Sequence, residues 1–119
     1  MKESLIKEKS FQFAIRTVKM YSHLKEAKKE YVMSKQVLRS GTSIGANIRE
    51  ALNGESKADF IHKLAIAQKE ADETLYWLEL LKATEFIDDT SYHFHEFRTI
   101  SMNRNKSSFI YKFSRFEQF

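Results

Sequence analysis

The chain has 119 residues, with no cysteine, no proline and only three glycines. Without cysteine there is no disulfide framework, no thiolate metal site and no cysteine nucleophile. The shortage of proline and glycine, beside 30% charged residues, argues for helices rather than an all-β fold. No apolar run reaches the roughly 20 residues of a membrane span. The N-terminal stretch MKESLIKEKS lacks the apolar centre of a secretion signal. A cytoplasmic protein without membrane contact is expected. What is present is a 42% hydrophobic composition, enough for one packed domain over residues 1–119.

The net charge is +4, unevenly spread. Residues 1–30 carry eight Lys/Arg against four Asp/Glu, and residues 57–87 carry four against six. This balance permits contact with nucleic acid without requiring it.

Apolar residues at Phe11, Ala14, Ile15, Val18, Tyr21 and Leu24 recur in steps of three and four, which predicts an amphipathic helix over about 5–27. KEAKKE at Lys25–Glu30 reads as the turn. A second helix over about 30–53 brings Val37, Gly41, Ile44, Gly45, Ile48, Ala51 and Leu52 into one arc of about 120°. Asn53-Gly54 supplies its stop, and Ser56 caps a third helix over about 57–84, with Asp59 at its third position. That helix carries Phe60, Leu64, Ala67, Ala71, Thr74, Leu75, Leu78 and Leu81. A fourth, over about 89–114, includes Phe94, Phe97 and Ile100, and its pattern degrades after Ser101. The expected fold is all-α, an antiparallel up-down-up-down four-helix bundle.

RSGTSIGAN, at Arg39–Asn47, poses the sharpest question. A phosphate loop requires Gly-x-x-x-x-Gly-Lys-Ser/Thr after a strand. Here Gly41 and Gly45 are four apart, no lysine follows and no strand precedes. As a helix, the stretch loses about 1 kcal/mol per interior glycine. Close approach of another helix to a strip of small residues offsets that cost. Gly41 and Gly45 therefore mark a helix crossing, within the subunit or between subunits.

On the third helix Ile66, Glu70, Glu73, Trp77 and Leu80 form a further row, read as opposite the core stripe. A large apolar patch with charged neighbours suits an assembly surface. The alternative is that Trp77 covers a bundle edge. Lys35, Arg39 and Arg49 share one arc of the second helix, near Lys25, Lys28 and Lys29 at the turn. They suit a solvated edge, pairing with Glu70 and Glu73, or nucleic-acid phosphates.

No catalytic constellation emerges. His93 and His95 flank Phe94 and point about 200° apart on a helix. His23 and His62 lack partners at ligand spacing, and the Glu-x-x-His of di-iron bundles is missing, since Glu96 alone does not replace it. The expectation is a non-enzyme with no cofactor, no metal and no small-molecule substrate.

MSKQVLRSGTSIGANIREA (Met33–Ala51) and SKADFIHKLAIAQKEADETLYWLELL (Ser56–Leu81), preceded by EKSFQFA (Glu8–Ala14), resemble the bacterial four-helix bundle proteins encoded by intervening sequences within large-subunit ribosomal RNA genes. The resemblance covers roughly residues 7–87. It implies a homo-oligomeric ring, typically of five subunits. It further implies distant kinship with retroelement accessory proteins that bind nucleic acid through basic surfaces. It supplies no catalytic residues. Arg39, Gly41, Ser43, Gly45, Asn47, Glu50, Glu70, Glu73 and Trp77 carry over as packing and assembly positions. Ribosomal labels for the family reflect gene location. NRNKSSFIYKF departs from the family's Leu/Ile-rich fourth helix.

Overall fold

The structure, a computed structural model, describes residues 2–89 and 92. Among these, three helices follow one another: α1 (Lys2–Glu26), α2 (Met33–Leu52) and α3 (Lys57–Ala83). The expected fourth helix falls largely outside the described residues. Asp89 and Tyr92 are helical, and the Tyr92 N–H donates to Asp88 O at 3.0 Å.

Two apolar clusters fix the chain directions. Ile6 and Phe13 of α1 meet Ile44, Ile48 and Ala51 of α2 and Leu64, Ala67 and Ala71 of α3. At the other end Met20, Leu24, Val37, Leu78, Leu81 and Tyr92 pack together. The start of α1 thus lies beside the end of α2 and the start of α3, so consecutive helices run antiparallel. α2 sits in the middle, packing extensively on both neighbours.

The buried face of α1 differs from the expected stripe. Ile6, Ser10, Phe13, Thr17, Met20 and Leu24 are buried, whereas Phe11 is 45% and Val18 46% exposed. Both rows step by three and four residues. The inner one was masked by the serine and threonine within it. Each hydroxyl satisfies itself on its own helix: Ser10 Oγ donates to Lys7 O at 3.0 Å, and Thr17 Oγ1 to Phe13 O at 2.8 Å. That leaves small, satisfied side chains facing α2.

Helix ends depart from the simple signals. α2 begins at Met33 rather than near residue 30. Val32 occupies its N-cap position and makes no side-chain cap bond. Buried Glu30 does the capping from outside the helix. Its carboxylate accepts the backbone N–H of Val32 (2.9 Å), Met33 (2.6 Å) and Ser34 (3.0 Å), while Ser34 Oγ donates back to Glu30 O at 2.9 Å. Negative charge at a helix N-terminus is favourable, typically by about 0.3–1 kcal/mol beyond the bonds themselves. Ser56 caps α3 as its sequence predicts, accepting from the Asp59 N–H at 3.0 Å.

The left-handed positions fall on Lys29 (φ 56°) and Glu85 (φ 65°), and no glycine adopts one. Each costs about 1–2 kcal/mol in an L-residue. Glu85 closes α3 as a Schellman turn, with Phe86 N–H donating to Leu81 O at 2.9 Å. Gly54 serves a different need from the stop signal read in the sequence. A Cβ there would lie 2.7 Å from Asp59 Oδ2 and 3.1 Å from Ala51 O, so a side chain would displace the Asp59 carboxylate and press on the last turn of α2.

Candidate functional site

RSGTSIGAN is helix throughout, and its buried positions face two different neighbours. Toward α1, a Cβ on Gly41 would lie 2.7 Å from Thr17 Cγ2 and 2.9 Å from Thr17 Oγ1. A Cβ on Gly45 would lie 3.3 Å from Ser10 O. Both glycines therefore sit at the crossing of α1 and α2 within one subunit. Toward α3, Thr74 Oγ1 donates to Ser40 Oγ at 2.8 Å, and Ser40 Oγ donates on to Gln36 O at 3.0 Å. Ile44 and Ile48 are fully buried in the first apolar cluster.

The row Ile66, Glu70, Glu73, Trp77 and Leu80 lies on the flank of α3 rather than opposite its core. Steps of 100° place it about 120° from the buried stripe, and all five residues are half-buried. Trp77 packs against the second apolar cluster, and its Nε1 donates to Glu73 Oε2 at 3.1 Å. Arg39 reaches across from α2, with one guanidinium nitrogen 3.4 Å from Glu70 Oε2 and the other on Glu73 Oε2. The Arg39 hydrogen bond holds the Glu73 carboxyl below the usual carboxylate range, against partial burial; the Trp77 N–H and the Arg39 charge act in the same direction. The same bond raises Arg39 above its ordinary value. Because the Arg39 side chain is 51% exposed, solvent screens the pair, and its worth is about 0–1 kcal/mol. Glu70 and Glu73 thus tie α3 to α2 within the chain, with the Trp77 indole bonded to Glu73.

The basic arc of α2 splits in two directions. Arg39 turns to α3, whereas Arg49 turns to α1, its guanidinium carbon 5.0 Å from the centre of the Phe11 ring. Lys25 Nζ lies 5.6 Å from the centre of the Tyr21 ring. Lys28, Lys29 and Lys35 are exposed around the α1–α2 turn. Of the six basic residues singled out in the sequence, the four lysines therefore lie at this end of the molecule, while Arg39 and Arg49 turn to neighbouring helices. Glu50, carried over as a packing position, pairs with Lys63 at 2.9 Å.

Among the described residues, no group of three or more His, Asp or Glu is placed to hold a metal. His23 and His62 are exposed and far apart in sequence on separate helices. His93, His95 and Glu96 lie outside the described residues, as does the NRNKSSFIYKF departure. No described helix is long and apolar enough to cross a membrane.

This geometry, with its small-residue crossing and Arg39–Glu73–Trp77 link, accompanies a family match. The model of the 23S rRNA-intervening sequence protein family matches residues 2–105. The chain belongs to that family. It is 52% identical to a Bacteroides thetaiotaomicron protein of unknown function from the S23 ribosomal protein family, known from a crystal structure. That likeness covers 97% of this chain and 96% of the other, with a TM-score of 0.81. No curated protein matches the chain.

Sequence reasoning missed Glu30, Ser10, Thr17 and the Ser40–Thr74 link. A signal for Glu30 was present: with a valine at the N-cap, another acceptor has to serve the first turn of α2. The inward-facing hydroxyls leave no trace in hydrophobic periodicity.

Proposed function

We propose that this protein is a non-enzymatic helical bundle that assembles with copies of itself. The fourth helix that the sequence pattern predicts over about 89–114 belongs to this reading, and the ring of five implied by the family resemblance is the expected form. The observation that carries this reading is the second apolar row of α1. Phe11 and Val18 stand about half exposed on a helix that already buries six residues elsewhere. Tyr76 of α3 is 56% exposed as well. Apolar residues of this size on several outer faces suit contacts between subunits. Native mass spectrometry at micromolar concentration tests it: several subunit masses are expected, and a monomer refutes the reading.

A nucleic-acid-binding accessory role is the second reading, supported by Lys25, Lys28, Lys29 and Lys35 gathered about one turn. Arg39 contributes little to it because Glu70 and Glu73 already hold the guanidinium. Binding of an RNA or DNA probe should fall steeply with salt, and should weaken in a Lys28→Ala, Lys29→Ala, Lys35→Ala variant. Affinity insensitive to salt would refute this reading.

A further inference from the structure

The turn between α1 and α2 breaks two local rules within four residues. Lys29 takes a left-handed conformation, and Val32 stands at an N-cap where serine, threonine, aspartate or asparagine would stabilise the helix. Val32 gains nothing by burial, because it is 73% exposed, and Tyr31 beside it is 49% exposed. Nor is the tip loose. Glu30 is buried and holds three successive backbone N–H groups, and its own N–H donates to Leu24 O at 2.9 Å. A rigid base thus presents two apolar side chains to the outside, with Lys25, Lys28, Lys29 and Lys35 around them. Glu30 supplies the cap that Val32 lacks, whereas the strain at Lys29 and the exposure of Tyr31 and Val32 point to compensation outside the chain.

At the same end, a cleft of about 520 Å³ opens between the ends of α1 and α3. Phe86 and Ile87 line it, both half-buried on the second apolar cluster. Glu85, Asp88 and Asp89 stand along it, with Lys82 tied to Asp89 at 3.2 Å. Lys28 reaches this cleft, but Tyr31 and Val32 of the same chain do not. The cleft lining sets Glu85, Asp88 and Asp89 against Lys28, Lys82 and His23, so Phe86, Ile87 and the carboxylates offer partners to an apolar tip with lysines around it, and Tyr31 and Val32 do not line the cleft of their own subunit.

We infer that Tyr31 and Val32 of one copy seat in the Phe86–Ile87 cleft of the next. This inference rests on the self-assembly reading and names its contact. Tip and cleft are different surfaces, so the contact is head-to-tail, the type that closes into a ring when the rotation per subunit permits. Two side chains do not make a whole interface; they are its preorganised anchor, with the surrounding helix ends supplying area.

The test combines two variants, Val32→Asp on the tip and Glu85→Lys, Asp89→Lys on the cleft. Each alone should raise the subunit dissociation constant at least about 30-fold, the scale of an interface hot spot. Circular dichroism should show native helix content in both. Mixed one to one, they should form a dimer and nothing larger, since one sound tip then meets one sound cleft. Val32→Ser provides a second arm: because Glu30 already holds the first N–H groups of α2, it should keep native helix content while weakening assembly. A wild-type oligomer whose mass is unchanged by Val32→Asp or Val32→Ser overturns the tip contact and leaves self-assembly standing. A monomeric wild type overturns self-assembly itself. Unchanged assembly with lost binding of a single-stranded oligonucleotide assigns the tip to nucleic acid and refutes the inference.

Discussion

Alanine at position 41 should destabilise the protein although alanine is the better helix former. In an exposed helix interior the exchange gains about 1 kcal/mol. Here the new methyl would sit 2.7 Å from Thr17 Cγ2 and 2.9 Å from Thr17 Oγ1, closer than unbonded atoms approach. Thr17 cannot turn aside cheaply, because a β-branched side chain in a helix has few rotamers and its hydroxyl is bonded to Phe13 O at 2.8 Å. Overpacking of this kind costs about 1–3 kcal/mol. The clash outweighs the propensity, leaving a net loss of up to about 2 kcal/mol. Gly45→Ala should be milder, because its methyl would stand 3.3 Å from Ser10 O, a contact relieved by a few tenths of an ångström. Thr17→Ala removes the offending atoms, so Gly41→Ala in that background should be neutral or stabilising. The assay is urea unfolding at one fixed protein concentration, since assembly adds to apparent stability. The coupling between positions 17 and 41 is read from the double-mutant cycle. If Gly41→Ala alone stabilises the protein, or if Thr17→Ala fails to relieve it, the crossing is not as tight as the glycine geometry requires.

Glu30→Ala leaves the N–H groups of Val32, Met33 and Ser34 without their acceptor and should cost about 1.5–3 kcal/mol in urea unfolding, the range for a charge-assisted bond. Glu26→Ala, four residues earlier and exposed, should change stability by less than about 0.5 kcal/mol. For the Arg39 link, the folded Glu73 pKa is lowered, so its contribution is present above the unfolded value, about 4.3, and is lost as pH falls through the folded one. Carbon-detected NMR titration should find Glu73 below the ordinary glutamate range and should find it higher in Arg39→Ala. That variant should also lose about 0–1 kcal/mol at neutral pH and show less acid sensitivity over the same interval. An unmoved Glu73 titration in Arg39→Ala would show that the guanidinium does not hold the carboxylate.

The readable parts of the sequence were those in which burial and hydrophobicity coincide. On α3, Leu64, Ala67, Ala71, Leu78 and Leu81 are apolar and buried, and Ser56 caps through its own side chain, so periodicity and capping rules both apply. On α2 the glycines took their places in the buried arc because the helical step orders residues of any size. α1 defeated the same method. Its two rows are equally periodic, and the inner one includes Ser10 and Thr17, which are buried only because Gly45 and Gly41 stand opposite. That pairing joins residues far apart in sequence, so no local window contains it. The row around Trp77 was hard to place for a related reason: a row about 120° from the core stripe is free or covered according to what the neighbouring helix sends toward it. Arg39 was the residue that reached it.

The small residues of RSGTSIGAN are now accounted for by packing within the subunit. Gly41 and Gly45 admit Thr17 and Ser10 of α1, Ser40 meets Thr74 of α3, and Ile44 and Ile48 are core. Thr42, Ser43 and Asn47 bond back to carbonyls of their own helix, at 2.7, 2.8 and 2.9 Å. The hydroxyls of this stretch have thus spent their protons within their own helix rather than on a phosphate. Among the described residues, the exposed row of α1 and the bundle end with the Tyr31–Val32 tip, its lysines and the cleft are the surfaces this packing leaves open. In this chain the most distinctive sequence builds the scaffold. The less distinctive turns, KEAKKEYV and TEFIDD, carry the surface left over for a partner.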